Sequence, residues 1–459
     1  MIFVLAFMVL WPFARHRNGA RWATLTAFSL VFYGWWDVRF LVLLLGSGAI
    51  DFFACMGMEK FPRMRRSFLV LSIVVNIGSL CFFKYLGFAV DQLSVLLEIP
   101  PRVESWSSSI ILPIGISFYT FQSMSYTIDV FRGKLRAVSN PLHFLSYLAM
   151  FPQLVAGPIV RATELLPQLE TKGRFSAANR LAGVRLATWG FVKKLVIADN
   201  LAPVVNELFA SAAIEDSMGL AWLAAVLFAI QIFADFSGYS DIACGIAKWM
   251  GYEFPQNFRQ PYAACGFRDF WTRWHITLST WFRDYVYIPL GGSRRSSLRS
   301  NWNLLFTMIV SGLWHGANWT FIFWGVLHGV LLLSERIVNR IPGSDHIPSV
   351  VWWGITMWGV LTGWVIFRAE TPSQAIAVGL AMYTGGFDLS QLLSVITPAA
   401  WMALVVASSA SIVWAIGRRK ELGLVASMPS LVQATIVAAG IFLAIFLRGS
   451  GNAFIYFQF

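Results

Sequence analysis

Charged residues are scarce in this chain. Asp, Glu, Lys and Arg make up 13% of its 459 residues, whereas a soluble domain carries roughly 25%. Hydrophobic residues account for 57% of the chain, and no charged side chain occurs between Ser300 and Ser334. An apolar stretch of that length is typical of a membrane span. The composition therefore excludes a soluble globular protein and predicts an all-α polytopic membrane protein, with residues 1–459 as a single domain.

Cysteine and the common cofactor motifs are also sparse or missing. The four cysteines are isolated and form no Cys-x-x-Cys pair, so neither a zinc site nor a disulfide framework is indicated. The chain contains no His-Glu-x-x-His, Walker A or Gly-x-Gly-x-x-Gly motif, which excludes the standard metalloprotease and nucleotide-binding signatures. Gly115-Ile-Ser117 lacks the second glycine of a nucleophile elbow. We therefore expect no metal and no permanently bound cofactor.

The charge that is present is basic and unevenly placed. The formal net charge is +12, which on its own would suggest a nucleic-acid partner. The basic residues instead form short clusters between apolar runs, which is the positive-inside pattern of a protein that meets anionic lipid. We therefore expect membrane lipid and not nucleic acid as a partner, with the N-terminus outside and the first three clusters in the cytoplasm. The clusters are Arg15/Arg17/Arg21, Lys60/Arg63/Arg65/Arg66, Arg132/Lys134/Arg136 and Arg418/Arg419/Lys420.

Apolar runs recur along the whole chain and predict roughly 10–12 spans of about 20 residues each. Met1–Phe13 lacks a basic segment and a small-residue cleavage site, so we expect a retained first helix. The runs lie near residues 1–14, 22–36, 39–58, 67–90, 108–131, 142–160, 183–205, 219–247, 301–333, 350–368, 395–417 and 430–448.

The segment 255–290 differs from these runs because it mixes charge with many aromatic residues. Its three- and four-residue spacing predicts one helical face, and a mixed face rich in Trp and Tyr suits the membrane interface. Pro289-Leu-Gly-Gly292 is expected to end this helix. The residues of the predicted face are Arg268, Trp271, Thr272, His275, Ser279 and Phe282.

His315 lies inside the uncharged run, where a titratable side chain is a candidate functional residue. One hypothesis is packing, because Gly312 and Gly316 form a GxxxG pair that lets helices approach closely. The other is a general base that reaches a cavity, since imidazole titrates near neutral pH. In the second case Trp314 and Asn318 would hold the ring and close the pocket. The residues alone favour neither hypothesis.

Two further histidines accompany it. His275 is either an ordinary interfacial histidine or a second polar contact on the path to His315, where it would position a substrate or stabilise an oxyanion. His328 shares the uncharged run with His315, and we expect it to have a packing role.

Asp235-Phe-Ser-Gly-Tyr-Ser-Asp241 places two carboxylates in an apolar run, where an unpaired charge is costly. We favour an interhelical hydrogen-bond knot, with Arg273 or Arg283 as partner and a helix broken or bent at Gly238. The functional alternative is that the carboxylates orient a catalytic histidine.

These motifs, taken together, resemble the membrane-bound O-acyltransferases, and more narrowly the bacterial members that serve alginate O-acetylation. The similarity covers nearly the whole chain in the same order. It is carried by Leu112–Tyr119, Pro152–Pro158, Asp235–Asp241 with Tyr239, Gln260-Pro-Tyr262, Arg273-Trp274-His275 to Trp281, Arg283-Asp-Tyr285, Trp314-His315-Gly and Phe454–Phe459.

The resemblance implies tilted and re-entrant helices around a central funnel that leads to His315 as the catalytic histidine. It implies His275 at a second polar position, with Trp274, Arg273 and Tyr239 as support or donor-path residues. Acetyl-CoA or another acyl thioester would be the cytoplasmic donor substrate. Periplasmic acetyltransferase proteins would be the partners that place the acetyl group on an exopolysaccharide, across a bacterial inner membrane.

Two alternative functions remain at this stage. The first is D-alanyl transfer to teichoic acid from a carrier protein, which shares the histidine pair in the same family. The second is a polytopic transporter, suggested by the buried carboxylates of Asp235 and Asp241 and by the expected broken helices. A transporter would move substrate without acyl chemistry, and Trp314-His315-Gly does not support that function.

Overall fold

The structure is a computed structural model that describes residues 2–97, 110–416, 428–451 and 454–455. These residues form helices joined by turns and contain no β-strand, which confirms the all-α class. The basic cluster at Arg418, Arg419 and Lys420 lies outside the described residues, as do residues 456–459 of the terminal motif. The backbone divides into two compact units, and the expectation of a single domain stays a prediction.

The first unit comprises Met1–Gly183 and Ala243–Pro255. A π-helical turn, Cys81–Tyr85, joins the helices Arg65–Leu80 and Leu86–Leu97. The helices that begin in this unit are α1 (Ile2–Ala14), α2 (Asn18–Gly34), α3 (Arg39–Lys60), α4 (Arg65–Leu80), α5 (Leu86–Leu97), α6 (Ile116–Phe131), α7 (Pro141–Leu148), α8 (Ala162–Leu169) and α9 (Ala177–Phe191).

A buried carboxylate holds three helices of this unit together. Asp51 on α3 accepts hydrogen bonds from Ser72 and Asn76 on α4 and from Ser123 on α6, and all four side chains are buried. A polar group inside a membrane protein needs such partners because neither lipid nor an apolar core can supply hydrogen bonds. The cluster therefore connects α3, α4 and α6 through hydrogen bonds.

The second unit comprises Val184–Ile242 and Gln256–Phe459 and contains every residue of the expected site. A second π-helical turn, Val192–Ala198, joins α9 to α10. The helices that follow α9 are α10 (Asp199–Ala210), α11 (Met218–Met250), α12 (Phe267–Trp271), α13 (Ile276–Phe282), α14 (Ser297–His315), α15 (Trp319–Val338), α16 (Ser349–Arg368), α17 (Pro372–Thr384), α18 (Leu389–Val395), α19 (Pro398–Ile416) and α20 (Ser430–Phe446).

Within the described ranges, five helices are long and apolar enough to cross a membrane, or six if the bent pair α18–α19 forms one span. The polytopic class is therefore confirmed, and the larger number of 10–12 spans stays a prediction. Several apolar runs of the sequence form shorter helices; the run at 142–160, for example, contains the eight-residue α7 followed by turns. The five helices are Arg39–Lys60, Pro62–Ser94, Met218–Met250, Trp319–Val338 and Ser349–Arg368.

The uncharged run around His315 is a hairpin of two helices and not the single span expected from the sequence. Helix α14 ends at His315 and α15 begins at Trp319. Gly312 faces the backbone of Phe321, and Gly325 faces the backbone of Met308, so the two helices run antiparallel. Small residues permit this close backbone approach. Gly312 therefore has the packing role that the sequence suggested, whereas Gly316 follows the end of α14 and faces the ring of Phe321.

We expect Gly312→Ala to destabilise the protein. A Cβ atom on Gly312 would overlap the carbonyl oxygen of Phe321, and overpacking of this kind costs about 1–3 kcal/mol. The matched control is Gly354→Ala in α16, where a Cβ atom meets nothing within 4 Å. The measurement is thermal denaturation of the purified protein in detergent. We expect a midpoint below that of the native protein for Gly312→Ala and an unchanged midpoint for Gly354→Ala. Equal midpoints for the two variants would contradict the proposed close packing.

Candidate active site

His315 is the last residue of α14, and its side chain is buried in an aromatic enclosure. Its imidazole lies 5.0 Å from the ring of Trp314, 5.1 Å from that of Trp324 and 5.2 Å from that of Phe367, measured between ring centroids. The rings come from α14, α15 and α16, so three helices fix the position of this histidine. Such surroundings have a low dielectric constant, which strengthens electrostatic interactions with a reacting group.

The two residues expected to support His315 act differently. Trp314 contacts both histidines, because its ring also lies 6.0 Å from that of His275. Asn318 instead caps α15: its side-chain oxygen accepts from the backbone N–H of Thr320 at 3.1 Å. Its amide donates to the carbonyl oxygen of Glu370 at 2.9 Å. Trp314 therefore connects the two histidines, whereas Asn318 positions the turn that follows His315.

The continuous helix predicted across the segment 255–290 is wrong. The chain forms the short helices α12 and α13, and His275 between them has left-handed backbone angles, φ 40° and ψ 56°. A non-glycine residue in this region costs about 1–2 kcal/mol, and such strain is often found at functional sites. Of the residues predicted to share one helical face, two lie in α12, two lie in α13, and Thr272 and His275 lie between these helices. The predicted stop is correct, since turns follow at residues 288–295.

His275 is fully buried and does not lie at an exposed interface. Its imidazole contacts the ring of Phe236 on α11 at 4.6 Å and that of Phe258 at 6.2 Å. Together with Trp314, these rings surround the histidine. The sequence had left open whether His275 is an interfacial residue or a second residue near His315, and the shared contact with Trp314 favours the second.

Trp274 and Arg273 make their contacts elsewhere. The indole of Trp274 packs against Trp364 at 4.8 Å and Phe270 at 5.8 Å. The guanidinium of Arg273 pairs with Asp269 at 2.7 Å, in a partly exposed position. Both residues fix the α12 segment that precedes His275, which is a structural role.

Asn257 is the residue near His275 that sequence reasoning missed. Its side-chain oxygen lies 3.0 Å from Nδ1 of His275, and its backbone carbonyl accepts from the N–H of Ile276 at 2.9 Å. Its amide donates to Ser240 on α11 at 3.1 Å. Asn257 precedes His275 by 18 residues, so no local spacing could have indicated the contact.

The two carboxylates of α11 form the expected knot with different partners. Lys193 pairs with Asp241 at 2.6 Å, and Lys194 pairs with Asp235 at 2.7 Å and with Asp199 at 2.8 Å. Both lysines belong to the π-helical turn between α9 and α10. The adjacent lysines in the apolar run 183–205 were the signal that could have found them. Buried charges in a membrane protein usually pair in this way.

The arginine partners predicted for this knot are wrong. Arg273 pairs with Asp269, and Arg283 pairs with the neighbouring Asp284 at 2.7 Å. Both pairs are local along the chain, so these arginines satisfy carboxylates of their own segment.

Gly238 does not break α11, which is one helix from Met218 to Met250. A Cβ atom there would lie 2.8 Å from the carbonyl oxygen of Gly190, so the glycine permits close contact with α9. Beside it, Tyr239 packs on Phe454 at 5.3 Å between ring centroids. The backbone N–H of Ile455 donates to Asp235 at 2.7 Å. Phe454 and Ile455, the described residues of the terminal motif, thus pack on the face of α11 that carries the knot.

His328 is buried on α15 between the rings of Trp324 at 4.7 Å and Trp271 at 5.2 Å. These contacts agree with the packing role expected for it. Within the described part of the chain, no group of three or more His, Cys, Asp and Glu side chains could hold a metal ion.

Comparison with known proteins identifies the family. A sequence model of the membrane-bound O-acyltransferase family matches residues 105–343, which include His275 and His315. The probable alginate O-acetylase of Pseudomonas aeruginosa is 40% identical over 398 residues, covering 85% of this chain and 76% of that protein. The peptidoglycan O-acetyltransferase of Helicobacter pylori is 35% identical over 385 residues, covering 76% of this chain and 71% of that protein.

A more distant relative is the teichoic acid D-alanyltransferase of Streptococcus thermophilus, 28% identical over 263 residues, or 54% of this chain and 62% of that protein. Three findings agree with one another: the extent of the first two similarities, the helical membrane fold, and the family match over half of the sequence. The chain therefore belongs to the membrane-bound O-acyltransferase family and is a multi-pass membrane O-acyltransferase.

Proposed function

We propose that this protein transfers acetyl groups from a cytoplasmic thioester donor, acetyl-CoA, toward the O-acetylation of an exopolysaccharide outside the inner membrane of a bacterium. The names of two relatives, an alginate O-acetylase and a peptidoglycan O-acetyltransferase, support acetyl as the group and a glycan as the final acceptor. Periplasmic acetyltransferase proteins would be the partners that complete the transfer to the polymer.

The observation that carries this proposal is the position of His315. It is a buried imidazole at a helix end, and the ring of Trp314 contacts both it and His275. An ionisable side chain inside a membrane protein is a candidate functional residue by default. Within a family of O-acyltransferases, general-base catalysis accounts for this histidine better than packing does.

In the proposed reaction, His315 accepts the proton of an acceptor hydroxyl. The hydroxyl oxygen then attacks the thioester carbonyl carbon, a C–O bond forms and the C–S bond breaks. The imidazolium returns its proton to the leaving thiolate, so the products are an acetyl ester and a free thiol. The aromatic rings around His315 exclude water and thereby protect the thioester from hydrolysis.

D-alanyl transfer is the second candidate, and the D-alanyltransferase relative supports it over about half of the chain. The transporter hypothesis has less support, because Asp235 and Asp241 are each paired with a lysine, as expected of a structural knot.

The test is a donor comparison in vesicles that contain the purified protein. One arm receives radiolabelled acetyl-CoA and the other a D-alanyl carrier protein, each with a soluble hydroxyl acceptor. We expect label transfer from acetyl-CoA only. Deletion of the gene should also remove ester-acetyl signals from the NMR spectrum of the secreted polysaccharide. Transfer of D-alanine alone, or an unchanged polysaccharide, would refute the proposal.

A further inference from the structure

Asn257 makes a set of hydrogen bonds that defines its own orientation. Its side-chain oxygen Oδ1 lies 3.3 Å from the backbone nitrogen of Thr277 and 2.9 Å from the Thr277 hydroxyl. A backbone N–H can only donate. The atom of Asn257 that faces Thr277 must therefore be the oxygen, which removes the usual ambiguity between the oxygen and nitrogen of an asparagine amide. The amide Nδ2 is then correctly directed at Ser240, at 3.1 Å.

This orientation determines which nitrogen of His275 carries hydrogen. Nδ1 of His275 lies 3.0 Å from the same Oδ1. Because a carbonyl oxygen only accepts, Nδ1 must be the donor. Burial among aromatic rings disfavours the charged imidazolium ion. In the neutral ring, one nitrogen donates and the other accepts, so Nε2 presents a lone pair.

We infer that Asn257 is a positioning residue that holds His275 as the Nδ1–H tautomer, with Nε2 as the hydrogen-bond-accepting nitrogen of the ring. That this tautomer serves acyl transfer rests on the proposed function. The inference changes the expectation from the sequence that His275 could stabilise an oxyanion, because a neutral Nε2 without hydrogen cannot donate to a carbonyl oxygen.

The surrounding backbone explains why a single asparagine can do this. The carbonyl oxygen of Asn257 accepts from the N–H of Ile276, and its side chain accepts from the N–H of Thr277. These are N–H groups of the first turn of α13, which have no partner within the helix. Asn257 therefore caps α13 from a distant segment and stabilises the left-handed backbone of His275. Through Ser240 it also connects the ring to α11.

The inference can be tested by ¹⁵N NMR of the full-length protein in lipid, labelled only at histidine. The chain has six histidines, and the difference spectrum between the native protein and His275→Gln assigns the His275 signals. We expect neutral Nδ1–H imidazole for the native protein. Observation of the Nε2–H tautomer or of imidazolium at His275 would overturn the inference.

Two variants separate positioning from a merely structural contribution. Asn257→Ala should let the ring populate the Nε2–H tautomer and lower the rate of acetyl transfer. Thr277→Val is the matched control, because it removes the hydroxyl bond to the same Oδ1 and leaves His275 Nδ1 with its partner. It should keep the native tautomer. An unchanged tautomer in Asn257→Ala would overturn the inference.

The spectrum does not depend on acyl transfer, so the two proposals can fail separately. If native protein shows Nδ1–H imidazole at His275 and transfers no acetyl group from acetyl-CoA, the proposed function fails while the tautomer assignment stands. If acetyl transfer is observed and the tautomer is Nε2–H, only the inference about Asn257 fails.

Discussion

Replacing His315 with alanine is expected to lower the rate of acetyl transfer by about 10²–10⁴-fold, the usual contribution of a general base. The side chain is buried at the end of α14, where it contacts the rings of Trp324 and Phe367. No other imidazole can replace it from the same helix, since the remaining residues of Ser297–His315 include no histidine. The measurement is label transfer from acetyl-CoA in vesicles.

Loss of packing could imitate loss of catalysis, so His315→Gln is the second variant. Glutamine fills much of the same volume and forms hydrogen bonds, but it cannot accept a proton near neutral pH. We expect it to insert and purify normally and to be as inactive as the alanine variant. His346→Gln, in the loop after α15, is the matched control and should keep full activity. Activity retained in His315→Gln would show that His315 is not the general base.

The sequence identifies His315 as a candidate functional residue, because a titratable side chain is unusual within an uncharged run of 35 positions. It does not predict that the run is a hairpin, since three residues, Gly316 to Asn318, suffice for the reversal of direction. A hydropathy window of about 19 residues cannot resolve so short a connection. The membrane class follows from composition, whereas the number of helices in each apolar run depends on tertiary contacts.

The backbone conformation at His275, in contrast, could not be predicted from the sequence. Three- and four-residue spacing predicts a helix through position 275, and such spacing cannot reveal a left-handed non-glycine residue. That conformation exists because Asn257 supplies hydrogen bonds from 18 positions away. The same holds for Asp235 and Asp241, because Lys194 precedes Asp235 by 41 residues and Lys193 precedes Asp241 by 48 residues. Local patterns identify residues that need partners, and only the fold identifies the partners.

The second large effect is a loss of protein stability, expected when one partner of the Lys193–Asp241 ion pair is removed. The side chains are 8% and 19% exposed, and Lys193 also donates to Ser237 at 3.0 Å. Removing one partner of a buried ion pair leaves a charge without compensation, which costs about 3–5 kcal/mol. We therefore expect Lys193→Met alone and Asp241→Leu alone to lower both the purified yield and the midpoint of thermal denaturation strongly.

The double variant Lys193→Met/Asp241→Leu decides between a structural role and a part in acyl transfer for these charges. If the pair is a structural knot, replacing both charges with apolar groups of similar volume should restore the midpoint to near that of the native protein, because no unpaired charge remains. Acetyl transfer should recover with it. The exposed pair Arg39–Asp37 is the control, and Arg39→Met should change the midpoint little. A double variant that folds normally and transfers no acetyl group would assign the charges a part in the reaction, and the knot would not be purely structural.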